Sequence, residues 1–165
     1  MNKLILTDKD LKKLVSNICR ELAVENWKPD YIVGISRGGC VPAVMLSHYL
    51  DIQMHPLKVS LRDGGECVSD CVMAEDAFQG KKILIVDDIN DTGATFNWIM
   101  NDWPRSCLPN DPNWTSTWNN NVRFAVLVDN LSSECLVKMD YSGIEINKSE
   151  NDVWVEFPYE SWWNQ

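Results

Sequence analysis

Apolar positions along this chain change period several times, from helical to strand-like and back. After Thr7, the residues Leu11, Leu14, Val15, Ile18 and Leu22 recur at the spacing of one helix face, which predicts an amphipathic helix to about Asn26. Thr7 followed three residues later by Asp10 resembles a capping box with Asp in place of Glu, so the helix start is marked too. Beyond Pro29, the run Tyr31-Ile32-Val33-Gly34-Ile35-Ser36 is short, apolar and β-branched, as suits a buried parallel strand, and it stops at Arg37-Gly38-Gly39. A helix over about 41–50 and a strand over about 53–60 come next. Residues 61–79 mix Gly, Asp, Ser and Cys without a period and read as a long loop, which in compact domains is often a functional lid.

Lys82-Ile83-Leu84-Ile85-Val86 is the strongest strand signal, and it runs directly into Asp87-Asp88 and a Thr/Gly turn. Helix is expected again from about Ala94 to Trp103. Residues 104–121 carry three prolines, six asparagines or aspartates and two tryptophans, which reads as an irregular insertion with no assignable role. Arg123 to Asp129 (RFAVLVD) reads as another buried strand, and a final strand pair is expected around Ile144 and over 153–157. Apolar strands alternating with helices imply an α/β fold with a central parallel sheet, whose ligand site lies at the carboxyl ends of the strands. Ser36 and Asp87 both fall at such ends.

Length and charge narrow the functional classes. With 165 residues and 45% hydrophobic composition, the chain suits one domain, 1–165. A formal net charge of -9 disfavours a phosphate-backbone footprint, so no nucleic-acid partner is expected. No apolar run approaches the ~20 residues of a membrane span, and the opening MNKLILTDKD lacks a signal-peptide core, so a cytoplasmic protein with no membrane partner is expected. Six scattered cysteines form no CxxC pair and read as reduced structural thiols.

The candidate chemistry sits within Ile85 to Thr95 (IVDDINDTGAT). Asp91-Thr92-Gly93-Ala94-Thr95 opens a helix, so backbone N–H groups converge, the helix dipole adds positive potential, and two threonine hydroxyls add donors. Gly93 lets an anion approach the backbone, and a phosphate monoester fits such a cradle. Asp87 and Asp88 are suited to accept from sugar hydroxyls and to hold Mg²⁺ directly or through water. A phosphate cradle beside hydroxyl acceptors points to a sugar phosphate.

Val86 to Thr95 (VDDINDTGAT) resembles the phosphoribosyl-pyrophosphate signature of the type I phosphoribosyltransferases: an apolar strand, two acids, then a D-T-G-x-T loop. The resemblance covers most of the chain from Tyr31 to Glu160 and is nearest to the xanthine-guanine and hypoxanthine branch of purine enzymes. It implies a Rossmann-like central parallel sheet flanked by helices, with a small hood formed by the C-terminal segment, 130–165. It also implies that 61–79 is a mobile catalytic loop. By the same resemblance Ser36, Arg37, Gly38 and Gly39 form the pyrophosphate loop, in which a guanidinium suits phosphate oxygens. Thr92 to Thr95, with Asp91, would hold the 5-phosphate; Asp87 and Asp88 would hold the ribose and Mg²⁺.

Trp154 and Val155 lie in a segment (WVEFPYE) resembling the one in which an aromatic residue stacks on the purine; ordinary core packing is the other reading of Trp154. The family's mobile loop begins with Ser-Tyr, whereas Ser60 here precedes Leu61, leaving Arg62 as a candidate donor to the diphosphate. The family usually places a lysine after the fifth strand to read the purine 6-oxo group, and Asn130 stands there instead. Asn can donate to a carbonyl or accept from an amine, so the choice of base stays open at this position. Asp91 matches the family's proton acceptor, while capping of the following helix is its plainer role.

The implied activity is transfer of the phosphoribosyl group from phosphoribosyl pyrophosphate to hypoxanthine, guanine or xanthine in purine salvage, by a Mg²⁺-dependent homo-oligomer, dimer or tetramer. A regulator of the same fold that senses phosphoribosyl pyrophosphate or nucleotide is the alternative. A phosphatase-like enzyme with Asp87 as nucleophile would leave the Thr/Gly loop unused.

Overall fold

A computed structural model describes residues 2–62, 64–107 and 111–164. Parts of the expected 61–79 loop and of the 104–121 insertion, and the chain's first and last residues, fall outside these.

The chain runs β1 (Asn2–Ile5), α1 (Asp8–Glu25), β2 (Tyr31–Ser36), α2 (Cys40–Leu50), β3 (Met54–Lys58), α3 (Cys71–Phe78), β4 (Ile83–Asn90), α4 (Ala94–Ser106), β5 (Val122–Asn130), β6 (Tyr141–Ile146) and β7 (Val153–Glu156). Short 3₁₀ turns lie at Pro112–Ser116 and Trp162–Asn164. The predicted capping box is present: Thr7 Oγ1 accepts from the Asp10 N–H at 3.1 Å, and Asp10 Oδ2 accepts from the Thr7 N–H at 2.8 Å.

Five strands form a parallel sheet in the order β3-β2-β4-β5-β6. Because strand side chains alternate between faces, β4 sends Leu84 and Val86 to one core and Ile83 and Ile85 to the other. On the first face lie Leu14, Ile18 and Leu22 of α1 with Ala43 and Leu46 of α2; on the second lie Ala74 and Ala77 of α3 with Phe96, Ile99 and Trp103 of α4. Helices therefore cover both faces, which is why the central strands are apolar without alternation. The chain passes from β3 back across β2 to β4, so the sheet order reverses between β2 and β4, and ligand clefts form beyond the carboxyl ends at such a point.

Three expectations need correction. Residues 61–79 are not loop throughout: Asp70 caps α3 by accepting from the Met73 N–H at 2.9 Å, and Met73, Ala74 and Ala77 turn inward. An eight-residue helix completes scarcely two turns, too few for its period to stand out. Both expected final strands form, but they do not pair with each other. Instead β6 extends the main sheet beside β5, while β7 pairs in parallel with β1, a strand that the sequence reading did not anticipate. This two-stranded sheet forms a hood from the opposite ends of the chain. Finally, the insertion is not irregular throughout, since α4 runs into it and its tryptophans have a packing role. Trp114 stacks on Trp118 at 5.5 Å, Trp118 stacks on Phe124 of β5 at 6.2 Å, and Trp114 is buried.

Candidate active site

Strand β4 stays buried through Val86 and then delivers its acids at the sheet's carboxyl edge. Asp87 is 8% exposed, and its Oδ1 accepts from the Asp88 N–H at 2.8 Å. Burial, and then the charge of Asp88, push the Asp87 carboxyl well above the usual carboxylate range. Asp88 in turn accepts from the Tyr159 hydroxyl at 3.2 Å, which ties the hood to the sheet edge. Burial and the Asp88 carboxylate raise the Tyr159 phenol, so this hydroxyl remains a donor.

The raised Asp87 carboxyl has a stability consequence of definite sign. The folded protein binds this proton more tightly than the unfolded chain, so its contribution to stability falls as pH rises from the unfolded value, about 3.9, through the raised folded one. Replacing Asp87 with Asn removes the buried charge. In chelator, Asp87→Asn is expected to raise the thermal midpoint at neutral pH by roughly 2–4 °C, as about 1 kcal/mol does in a domain of this size. The gain should shrink as pH is lowered toward the unfolded value. Thermal unfolding of both proteins across pH checks this, and a variant no more stable than the wild type at neutral pH refutes it.

After β4 the chain turns at Gly93, whose φ of 88° is readily adopted only by glycine, and starts α4. A side chain at Gly93 would also run into the backbone of Cys135, because the 131–137 segment lies directly behind the turn. That segment is fastened by the Glu134 N–H to the Thr92 carbonyl at 3.0 Å, and by Asn97, which donates to the Glu134 carbonyl at 3.0 Å and accepts from the Leu136 N–H at 2.8 Å. The cap of α4 is Gly93, without a side-chain cap bond, so Asp91 does not cap the helix. Its carboxylate faces two cations instead: Lys148 Nζ at 2.8 Å from Oδ1 and Arg62 at 3.4 Å from Oδ2.

Beyond β2, the Ser36-Arg37 peptide is cis and Gly38-Gly39 leads into α2. A Cβ on Gly38 would overlap the Asp88 carboxylate; one on Gly39 would lie 2.5 Å from the Val86 carbonyl oxygen and 2.7 Å from that of Ile35. The two glycines let this loop lie against the acids of β4.

One cavity of about 360 Å³ joins these parts, within the usual range for a small-molecule site. Ser36, Arg37, Gly38, Arg62, Asp87, Asp88, Asp91, Thr92, Gly93, Ala94, Thr95, Trp154 and Val155 all line it. Gly39 lies just behind the wall. Arg62 crosses from its loop to sit 5.8 Å from the Trp154 ring centre, and Trp154 is 42% exposed, so it is not ordinary core.

Asn130 is placed differently from expectation. It is buried behind the cavity, its Nδ2 donating to the Asp91 carbonyl at 2.8 Å and its Oδ1 accepting from the Lys148 N–H at 2.9 Å and the Ser132 hydroxyl at 2.9 Å. It fixes other loops rather than facing a base. Sequence reasoning missed Lys148 and Tyr159 as site residues. No local pattern marks either, although Tyr159 belongs to the WVEFPYE segment already singled out.

The phosphoribosyl transferase domain family matches residues 4–162. The chain belongs to this family. Among curated proteins it is 32% identical over 94 residues to the xanthine-guanine phosphoribosyltransferase of Idiomarina loihiensis, covering 53% of this chain and 55% of that protein. It is 38% identical over 80 residues to the enzyme of the same name from Cereibacter sphaeroides, covering 46% of this chain and 48% of that one. These matches span about half the length of the relatives. A purine phosphoribosyltransferase from Pyrococcus horikoshii superposes with a TM-score of 0.68 at 24% identity, covering 98% of this chain and 96% of that one, a likeness of fold. Enzymes of this family are generally Mg²⁺-dependent. Among the described residues, no helix is long and apolar enough to cross a membrane.

Proposed function

We propose that this family member transfers the 5-phosphoribosyl group from phosphoribosyl pyrophosphate to a purine base, of the hypoxanthine, guanine or xanthine kind. The observation that carries this reading is one cavity lined together by the Asp91–Thr95 turn at the start of α4, by Asp87 and Asp88, by the Ser36–Gly38 loop with Arg37 and by the exposed indole of Trp154. The names of the curated relatives support the purine class.

In this reading the 5-phosphate sits at Thr92 to Thr95, held by the first N–H groups of α4 and the threonine hydroxyls. Asp87 and Asp88 accept from the ribose hydroxyls. Arg37 and the backbone of Gly38 face the diphosphate, and Arg62 reaches it from the 61–79 loop. The base lies on Trp154 with its nucleophilic edge toward Asp91. A bond forms between a purine nitrogen and the anomeric carbon as the carbon–oxygen bond to diphosphate breaks. The electron pair leaves with the diphosphate, and the proton of the base's imidazole ring passes to the Asp91 carboxylate. Closure of the loop bearing Arg62 excludes water that would otherwise hydrolyse the activated sugar.

Mg²⁺ fits beside Asp87 and Asp88. Among the described residues no group of three or more acidic, His or Cys side chains could hold a metal by itself. Two carboxylates completed by substrate oxygens and water are what Mg²⁺ commonly takes. Bound there, it would neutralise charge on the departing diphosphate.

Pyrophosphate release from phosphoribosyl pyrophosphate and Mg²⁺, measured with hypoxanthine, guanine, xanthine, adenine and uracil in turn, tests the proposal. Release with one or more of the oxopurines, and little with uracil, is expected. Release with none of the bases overturns it.

A further inference from the structure

Lys148 lies in the turn between β6 and β7, outside every motif read from the sequence, yet it forms part of the cavity wall. Its side chain is 16% exposed and its Nζ is 2.8 Å from Asp91 Oδ1. Asn130 sets this pair at both ends, donating to the Asp91 carbonyl and accepting from the Lys148 N–H. The other cation on Asp91 differs. Arg62 is 64% exposed at 3.4 Å and open to solvent, whereas the Lys148 side chain, 16% exposed, is largely enclosed.

A largely enclosed ammonium does not readily give up its carboxylate unless another acceptor takes its place, because leaving such a charge unpaired is costly. A heterocycle that lies on Trp154 and carries a carbonyl beside an imidazole N–H, as the 6-oxo group of hypoxanthine lies beside N7–H in one tautomer, offers such an acceptor. The carbonyl oxygen takes the ammonium, and the N–H faces the carboxylate so released. An amine in place of the carbonyl points N–H groups at an ammonium, donor against donor, and Lys148 stays on Asp91.

Building on the function proposed above, we propose that Lys148 is the specificity-determining residue of the base site, a latch on Asp91 that an oxo group lifts and an amino group does not. Recognition of the base and release of its proton acceptor are then one event. Asn130 acts through this pair as a positioning residue and does not touch the base.

The test compares kcat/KM for hypoxanthine and for adenine in the wild type, Lys148→Met and Lys148→Arg, with phosphoribosyl pyrophosphate binding measured separately by calorimetry. The wild type is expected to prefer hypoxanthine by at least about 10²-fold, the discrimination that a paired polar site achieves. Lys148→Met is expected to lose most of that preference through a fall on hypoxanthine alone, with donor binding within about twofold of wild type, and Lys148→Arg to regain part of it. Should Lys148→Met fail to bind the donor, Lys148→Gln carries the same comparison, its uncharged amide being able to accept from adenine. An unchanged preference, or equal losses on both bases, overturns the role of Lys148. A wild type that releases pyrophosphate with no base overturns the proposed function itself, and one that turns over both bases equally overturns only this inference.

Discussion

Asp91→Asn is expected to lower kcat by about 10²–10⁴-fold, the usual worth of a positioned proton acceptor, while affinity for phosphoribosyl pyrophosphate changes little. The substitution keeps the side chain's shape and removes its basicity. Gly93, not Asp91, caps α4, so the proposed phosphate cradle does not depend on the carboxylate. The Asp91 carbonyl bonded by Asn130 is backbone and survives the change. Calorimetric binding of the donor beside steady-state turnover separates the two effects. Turnover within a few-fold of wild type would exclude Asp91 as the proton acceptor.

Gly39→Ala is expected to damage both stability and donor binding. The residue's φ of -69° is open to any amino acid, so backbone strain is not the cause. Close approach is. The new methyl would sit 2.5 Å from the Val86 carbonyl oxygen, 2.7 Å from that of Ile35 and 2.8 Å from the Asp87 Cα, all of them backbone atoms of the central strands. None can rotate aside, so the start of α2 must move off β2 and β4. Overpacking of this kind costs about 1–3 kcal/mol, and at roughly 2–4 °C per kcal/mol the thermal midpoint should fall by about 2–12 °C. The same displacement pulls Arg37 and Gly38 away from Asp88, so KM for the donor should rise by about tenfold or more, given how steeply binding depends on placement. Gly80→Ala is the matched control: it adds a methyl where nothing lies within 4 Å, so only the strain of its φ of 93° remains. Equal thermal midpoints for wild type and Gly39→Ala would refute the steric account.

The fold was legible wherever a segment carries its own period. Strand β4 announces itself because both its faces are buried, which makes Ile83 to Val86 continuously apolar. Helix α1 shows a clean apolar stripe and its own cap. Strand β1 is opaque for the opposite reason. It has four residues, and what makes it a strand is pairing with β7 at the other end of the chain. The same pairing explains why β6 and β7, close in sequence, belong to different sheets.

For the site, the contrast falls between contiguous and assembled parts. The chain order Asp87, Asp88, Asp91, Thr92, Gly93, Thr95 by itself determined a strand end, a glycine turn and a helix start with acids beside them, the arrangement proposed above as a phosphate cradle. The reason is local: the three follow one another with no distant partner needed. Only the tertiary structure decided who faces Asp91 and Asp88. Lys148 and Tyr159 reach them because sheet order brings the β6–β7 turn and the hood over the carboxyl end of β4. Asn130, which the family resemblance had placed at the base, is turned inward by hydrogen bonds to two loops at once. Such convergence is set by packing between segments far apart along the chain, and no periodicity within either segment records it.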